Sequence, residues 1–331
     1  MNNYDPTVFE LGEIEALKRA VKFFRPVATT LVGSGDDAAV ISVSDNRFVV
    51  TSDTMVENHD FRTEFSSGFD LGYKAIATNL ADVVAMGAIP NAVVVAMVIP
   101  KTTKQTWLED FARGMQEAID YLAPSCAVVG GDLAAGDNIV IAVTAHGDLE
   151  GRKPVLRSGT RPGDLVAVAG TLGWAACGLE LLMHQDPTLK AAYPEFVDIQ
   201  LRPNPLIGLG LEVAKFATAM LDISDGLSLD AARLANASGV SIRLDPRALS
   251  GFEAVLELAA QSISARQVQM ISERDWVLHG GEDHSFLFTC AKDSFLPRGC
   301  KVIGEVVEVD KAPLYFGAEV LEAKGWDSIS G

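Results

Sequence analysis

Apolar residues recur at helical spacing near the N-terminus. Ile14, Leu17, Val21 and Phe24 fall on one face of residues 13–24, and Pro26 follows. Short apolar runs at 47–51, 92–99, 127–129 and 139–145 then read as strands, with helical stretches at 69–86 and 106–122 among them. Residues 147–164 (GDLEGRKPVLRSGTRPGD) are dense in Gly, Pro and charge, which predicts a boundary between domains spanning 1–150 and 151–331. Beyond it come a strand at 165–169, helices at 174–183 and 206–217, a strand at 219–223 and a helix at 227–237. Strands near 241–244, 285–289 and 301–309 complete the pattern, and no internal repeat is visible. Strands and helices mix without strict alternation, so the expectation is an α+β protein rather than one doubly wound sheet.

A length of 331 residues also favours two domains over one, and an apolar fraction of 48% is that of a folded chain. Twenty-seven basic against 44 acidic residues give a net charge of −17, which argues against a broad nucleic-acid face. Cys126, Cys177, Cys290 and Cys300 show no metal or C-x-x-C spacing and read as small fillers in a reducing compartment. The first residues lack a basic stretch followed by an apolar one, so no signal peptide is expected. The longest apolar run, 92–99, is far short of the ~20 residues that span a bilayer. The reading is a cytoplasmic protein with no membrane partner.

Charge becomes informative where the acids sit. Asp36 and Asp37 follow Gly33-Ser34-Gly35, and Asp53 is read as ending the strand before it. Asp82 lies inside the apolar helix, one turn from Asn79, and Asp132 follows Gly130-Gly131 at an expected strand end. Asp222 and Asp225 flank Ile223-Ser224, and Glu282-Asp283 follow Gly280-Gly281. Taken singly, Asp36, Asp53, Asp132 or Asp222 also reads as a helix N-cap or turn residue. Together they form a repeated arrangement of apolar strand, glycine and acid. Carboxylates gathered and unpaired repel one another, and divalent cations relieve that. Oxygen ligands without a His or Cys cluster select Mg²⁺, Ca²⁺ or Mn²⁺, and Mg²⁺ favours one or two carboxylates plus substrate phosphates. The ligand implied is a Mg-nucleotide.

Other motifs are missing. There is no Walker P-loop, no protein-kinase set and no H-E-x-x-H. Gly33-x-Gly35-x-x-Ala38 fits a dinucleotide pattern literally, but Asp36 and Asp37 would face a pyrophosphate with negative charge. His59, His146, His184, His279 and His284 show no metal spacing.

Seven segments occur in order: GDDAAV from Gly35, TSDT from Thr51, NLADVVAMGA from Asn79, GGD from Gly130, LRSG from Leu156, DISDGL from Asp222 and GGED from Gly280. The chain closely resembles the thiamine-monophosphate kinases, from about residue 13 to 326. The resemblance implies ATP-dependent conversion of thiamine phosphate to thiamine diphosphate. It implies a two-domain fold like that of aminoimidazole ribonucleotide synthetase, with an N-terminal mixed or antiparallel sheet domain plus helices and a C-terminal α/β domain. The first domain would serve Mg-ATP binding and dimerisation, the second would complete the ATP and substrate site, and the assembly would be a homodimer. By residue match, Asp37, Thr51, Ser52, Asp53, Asp82, Asp132, Asp222 and Asp225 would bind several Mg²⁺ ions, with Asp53, Asp82, Asp132 and Asp222 most directly catalytic. Gly131, Asp132, Arg157 and Ser224 would contact ATP, and Glu282 and Trp326 the thiamine phosphate.

Two positions depart from the family pattern. The family usually carries His-Phe a few residues after the Asp of the TSD segment, whereas this chain reads His59-Asp60-Phe61, so either His59 or Asp60 takes the substrate-side place. After Gly-Gly-Glu-Asp the family tends to have Tyr and an acid, and here His284 and Ser285 follow. Two alternatives stand beside the kinase: another ATP-using enzyme of the superfamily with a different acceptor, and a nucleotide- or metal-binding protein without turnover.

Overall fold

The computed structural model describes residues 5–33, 38–266 and 272–326. The chain divides into two compact units, Met1–Val83 with Ala88–Arg152, and Val84–Gly87 with Lys153–Gly331.

In the first unit, a short helix α1 (Val8–Leu11) starts at a capping box in which Thr7 and Glu10 satisfy each other's backbone N–H groups. Helix α2 (Glu13–Val21) follows, then a two-stranded antiparallel ribbon of β1 (Thr30–Val32) and β2 (Val40–Ile41). A four-stranded sheet is formed by β3 (Phe48–Val56), β4 (Ile89–Ile99), β5 (Ala127–Ala135) and β6 (Val140–Asp148) in the order β3-β6-β4-β5. Only β4 and β5 run parallel; the other pairs are antiparallel. Helices α3 (Gly68–Ala85) and α4 (Gln105–Leu122) complete the unit. Leu71, Ile76, Leu80, Ala81 and Val83 are fully buried, which explains why α3 is apolar around most of its circumference. The two helices approach closely because Gly72 and Gly114 lack side chains. A Cβ at either would collide with the carbonyl oxygen of Phe111 or Phe69 on the facing helix.

The second unit is built on a seven-stranded sheet. Its strands are β7 (Leu165–Ala169), β8 (Ala219–Asp222), β9 (Ser241–Leu244), β10 (Phe286–Cys290), β11 (Cys300–Val307), β12 (Leu314–Phe316) and β13 (Glu319–Val320), in the order β13-β12-β9-β11-β7-β10-β8. All pairs are antiparallel except β12 with β9. Among the described residues, seven helices join the strands: α5 (Trp174–Met183), α6 (Pro187–Ala192), α7 (Pro194–Leu201), α8 (Ile207–Val213), α9 (Leu227–Ser238), α10 (Pro246–Ser264) and α11 (Glu273–His279). The α+β expectation is met, and among the described residues no helix is long and apolar enough to cross a membrane.

Two expectations about strand ends are corrected. Asp53 lies within β3, which continues to Val56, and Asp132 lies within β5, which continues to Ala135. The apolar run stops before each acid, but the backbone ladder does not. β3 and β5 are the edge strands, where polar side chains stay in contact with water while one side of the backbone pairs. Helix α10 was not expected from apolar periodicity. It begins at Asp245, whose carboxylate accepts from the Arg247 N–H at 2.9 Å, followed by Pro246 in the first turn.

Candidate active site

In the first unit β3 carries Thr51 and Asp53 on one face and Ser52 on the other, and α3 brings Asp82 to Thr51. The Thr51 hydroxyl donates to Asp82 Oδ2 at 3.0 Å. This contact places Asp82 on the sheet face that carries Thr51 and, two residues on, Asp53. Asp82 is half-buried, Asp53 exposed. Asn79, one turn earlier, is buried and turned to its own helix, donating to the Ala75 carbonyl at 2.9 Å. Ser52 donates to the Val143 carbonyl at 2.9 Å and lies 3.2 Å from the Thr144 hydroxyl.

Gly131 and Asp132 are on the opposite edge strand. Register aligns Asp53 with Val143, Val143 with Val95, and Val95 with Gly131. Three inter-strand spacings of ~4.8 Å put the β3 and β5 backbones roughly 14 Å apart, too far for Asp53 and Asp132 to share one cation. Gly131 has no substitute, because a Cβ there would strike the Val95 carbonyl oxygen. Asp37 lies outside the described residues.

The loop after β3 gives His59 and Asp60 different contacts. Asn58 adopts φ 67°, and Asp60 folds back so that Oδ2 accepts the Val56 N–H at 2.7 Å. Oδ1 of Asp60 lies 3.0 Å from His59 Nδ1. Asp60 therefore holds the turn and the imidazole, while His59 is the more exposed of the two.

In the second unit, the DISDGL and GGED segments are laced together. The Ile223 N–H donates to the Ser285 carbonyl at 2.8 Å, the His284 N–H to Ile223 at 3.0 Å, and the Glu282 N–H to Ser224 at 2.8 Å. Glu282 and His284 both sit at positive φ, 67° and 48°, a backbone region that costs a non-glycine residue ~1 kcal/mol or more. Asp283, between them, is buried and turns the other way. It accepts from the Thr171 hydroxyl at 2.9 Å and from the Gly173 and Trp174 N–H groups at 2.7 and 3.2 Å, capping α5, and burial pushes its carboxyl up to about 6. Glu282 is held by the Gln200 side-chain amide. Trp326 is placed by its own N–H, which donates to the Asp225 carbonyl at 3.0 Å, and by Gly325, where a Cβ would collide with that same oxygen. Ser228 secures this tail by bonding the backbone of Lys324.

Asp222 is buried and lies 3.1 Å from His284 Nδ1. Asp225 is bridged by Arg233, which also reaches Asp230 at 2.7 Å. Burial, and then the charge of Asp222, push the Asp230 carboxyl up to about 6 against the pull of Arg233. Arg157 is exposed, and its carbonyl accepts the Ser238 hydroxyl at 3.0 Å. His284, Asp230, Arg233 and Gln200 were not assigned from sequence. Of these only His284 carried a signal, as a departure from the family pattern.

The donors fit Mg²⁺ by their chemistry. They are carboxylate and hydroxyl oxygens, with Asp82 already oriented by Thr51. Among the described residues no three His, Cys, Asp or Glu side chains gather to form a closed metal cage.

The class comes from comparison. Residues 35–149 match the family described as AIR synthase related protein, N-terminal domain. A hydrogenase maturation protein, HypE of E. coli, superposes with TM-score 0.68 at 17% identity over 95% of this chain and 98% of its own, which shows a shared fold. The particular family follows from closer relatives. The thiamine-monophosphate kinase of Mycobacterium tuberculosis is 38% identical over 98% of this chain and 93% of its own. That of Bacillus subtilis is 32% identical over 89% and 93%. The crystal structure of the enzyme from Stenotrophomonas maltophilia matches with TM-score 0.76 at 31% identity over 92% and 95%. AaThiL complexed with AMPPCP and TMP matches with TM-score 0.73 at 28% identity over 98% and 99%. The chain belongs to the thiamine-monophosphate kinase family.

Proposed function

We propose that this protein phosphorylates thiamine phosphate to thiamine diphosphate with ATP. The observation that carries the reading is the hydrogen bond from Thr51 to Asp82 beside Asp53, within a chain of this kinase family. In the first unit Thr51, Ser52, Asp53, Asp82 and Asp132 would hold Mg²⁺ ions, with Asp53 and Asp132 on different ones, and Gly131 would let the backbone approach ATP. Asp37 is assigned to the same metal group from sequence. In the second unit Asp222 and Asp225 are further metal ligands, Arg157 and Ser224 contact the nucleotide, and Glu282 and Trp326 the acceptor. His59 is assigned the acceptor side of its loop as the more exposed of the pair, with Asp60 closing the turn onto the Val56 N–H. Mg²⁺, when bound, would screen the two phosphate groups and stabilise the departing ADP.

The chain's own residues position rather than bond. Donor and acceptor are both anions, so the proposed reaction is direct in-line attack of a thiamine-phosphate oxygen on the γ-phosphorus, with the bond to ADP breaking and no phosphoenzyme. We place the protein in the cytoplasm as a homodimer. Support for the dimer is the sheet face of β3 opposite Asp53, where Phe48 and Val50 are each 55% exposed.

The test is turnover with Mg-ATP and thiamine phosphate, following thiamine diphosphate by chromatography. Release of ADP and free phosphate alone would shift the reading to another acceptor, and a labelled phosphoprotein trapped with γ-labelled ATP would overturn direct transfer. Asp53→Asn should abolish transfer with an unchanged melting profile.

A further inference from the structure

We propose that His284 is a positioning residue for Asp222, holding one carboxylate oxygen so that the group meets a cation in a single orientation. The proposal rests on Asp222 acting as a metal ligand in the function proposed above. The two side chains are nearly buried, at 8% and 5% exposure, and Nδ1 of His284 stands 3.1 Å from Oδ2 of Asp222.

The backbone is arranged to produce this contact. Register pairs Asp222 with Phe286 at the junction of β8 and β10. Immediately before that pair, His284 is tied to Ile223 through its N–H, and Ser285 accepts from Ile223. Asp283 is drawn to the N-terminus of α5, and the positive φ of Glu282 and His284 allows the residues on either side of it to follow a different course. A residue serving only to fill space at φ 48° would be better as Gly or Asn. A histidine kept there brings its Nδ1 to the Asp222 carboxylate.

That contact has a chemical purpose. Asp230 lies near enough for its carboxyl to feel the charge of Asp222, and it is itself tied to Arg233. Without a donor, the Asp222 carboxylate would be free to rotate beside a second acid. An N–H on Oδ2 fixes the rotation and leaves Oδ1 outside the His284 bond. Partners of this type, one bond removed from a metal, typically change metal affinity 10–100-fold when removed.

The test uses the full chain and Mn²⁺ as probe, with binding read by electron paramagnetic resonance in the presence of a non-hydrolysable ATP analogue. His284→Ala should weaken Mn²⁺ binding at least ~10-fold and raise the Mg²⁺ needed for half-maximal rate by a similar factor. His284→Asn, whose side-chain amide nitrogen occupies the place of Nδ1, should restore affinity to within about threefold, and His284→Gln, whose amide reaches past it, should not. Asp222→Asn is measured alongside. If it weakens Mn²⁺ while His284→Ala binds as the wild type does, the positioning role is refuted and the metal role of Asp222 stands. If Asp222→Asn itself binds Mn²⁺ normally, the underlying assignment fails and the proposal falls with it. Should His284→Ala not fold, equal affinities for the Asn and Gln variants overturn the proposal.

Discussion

Asp283 offers a quantitative test of how the GGED segment is anchored. Its carboxyl is buried at 3% exposure and is pushed from 3.8 to about 6, chiefly by burial, with Thr171 and the α5 N–H groups pulling the other way. The folded state therefore binds the proton more tightly than the unfolded chain. The group's contribution to stability is fully present below about pH 4 and is lost as pH rises through about 6. A gap of roughly two pH units corresponds to ~3 kcal/mol in all, of which about 1 kcal/mol falls between pH 5 and pH 8. Asp283→Asn removes the titration but keeps one oxygen for Thr171 and Trp174, at the expense of an amide facing the Gly173 N–H. That mismatch costs ~1–3 kcal/mol and is independent of pH. Urea unfolding of both proteins at pH 5 and pH 8 separates the two effects. The deficit of the Asn variant should shrink by about 1 kcal/mol at pH 8 relative to pH 5. A deficit that stays constant, or grows with pH, refutes burial as the dominant influence on Asp283.

Other consequences are simpler to read. Gly72→Ala should destabilise the first unit by ~1–3 kcal/mol, because its Cβ would meet the Phe111 carbonyl and push α3 from α4; an unchanged unfolding midpoint would contradict that packing. Thr51→Val removes the hydroxyl bonded to Asp82, an interaction worth ~1.5–3 kcal/mol when one partner is charged, and should lower kcat/KM for Mg-ATP about tenfold or more. Equal kinetics at limiting Mg²⁺ would count against an oriented Asp82. His59→Ala should raise KM for thiamine phosphate while leaving KM for ATP alone, whereas an effect confined to Asp60→Asn would transfer the acceptor role to Asp60.

Much of this arrangement was legible because the sequence writes strands and acids in adjacent positions. Strand 165–169 reads directly as β7, since Leu165-Val166-Ala167-Val168-Ala169 is apolar on both faces and buried in the sheet. The acids of β3 and β5 misled about strand ends for the complementary reason. Edge strands keep pairing through polar residues, and periodicity sees only the loss of apolar character. Helix α10 escaped because its pattern is irregular: Val255 and Leu258 are exposed apolar residues that blur the face formed by Leu249, Phe252 and Leu256. Its start was nevertheless written as Asp245-Pro246, a local capping signal independent of periodicity. The contacts of His284 and Arg233 were not legible. They depend on segments some 60 residues apart meeting in β8 and β10, or on a helical partner chosen among several acids.

The acidity of the chain takes on a different meaning once these contacts are assigned. Nine acids in the motif segments, namely Asp36, Asp37, Asp53, Asp82, Asp132, Asp222, Asp225, Glu282 and Asp283, make up about half of the net charge of −17. Counting them all as phosphate-site groups overstates the case. Asp283 is consumed in capping α5, and Asp60, an acid assigned to the substrate side by register, is consumed in closing the loop that carries His59. Both act one residue away from a group assigned to chemistry. A motif such as Gly-Gly-Glu-Asp thus encodes two jobs in neighbouring letters. One acid anchors the strand end to a helix, and that anchorage makes the positive φ of Glu282 and His284 tolerable on either side. On this argument, replacing the anchor should disturb the acceptor side without any direct contact to it. Asp283→Asn should therefore alter KM for thiamine phosphate as well as stability, and a variant that changes stability alone would show that the two jobs are separable.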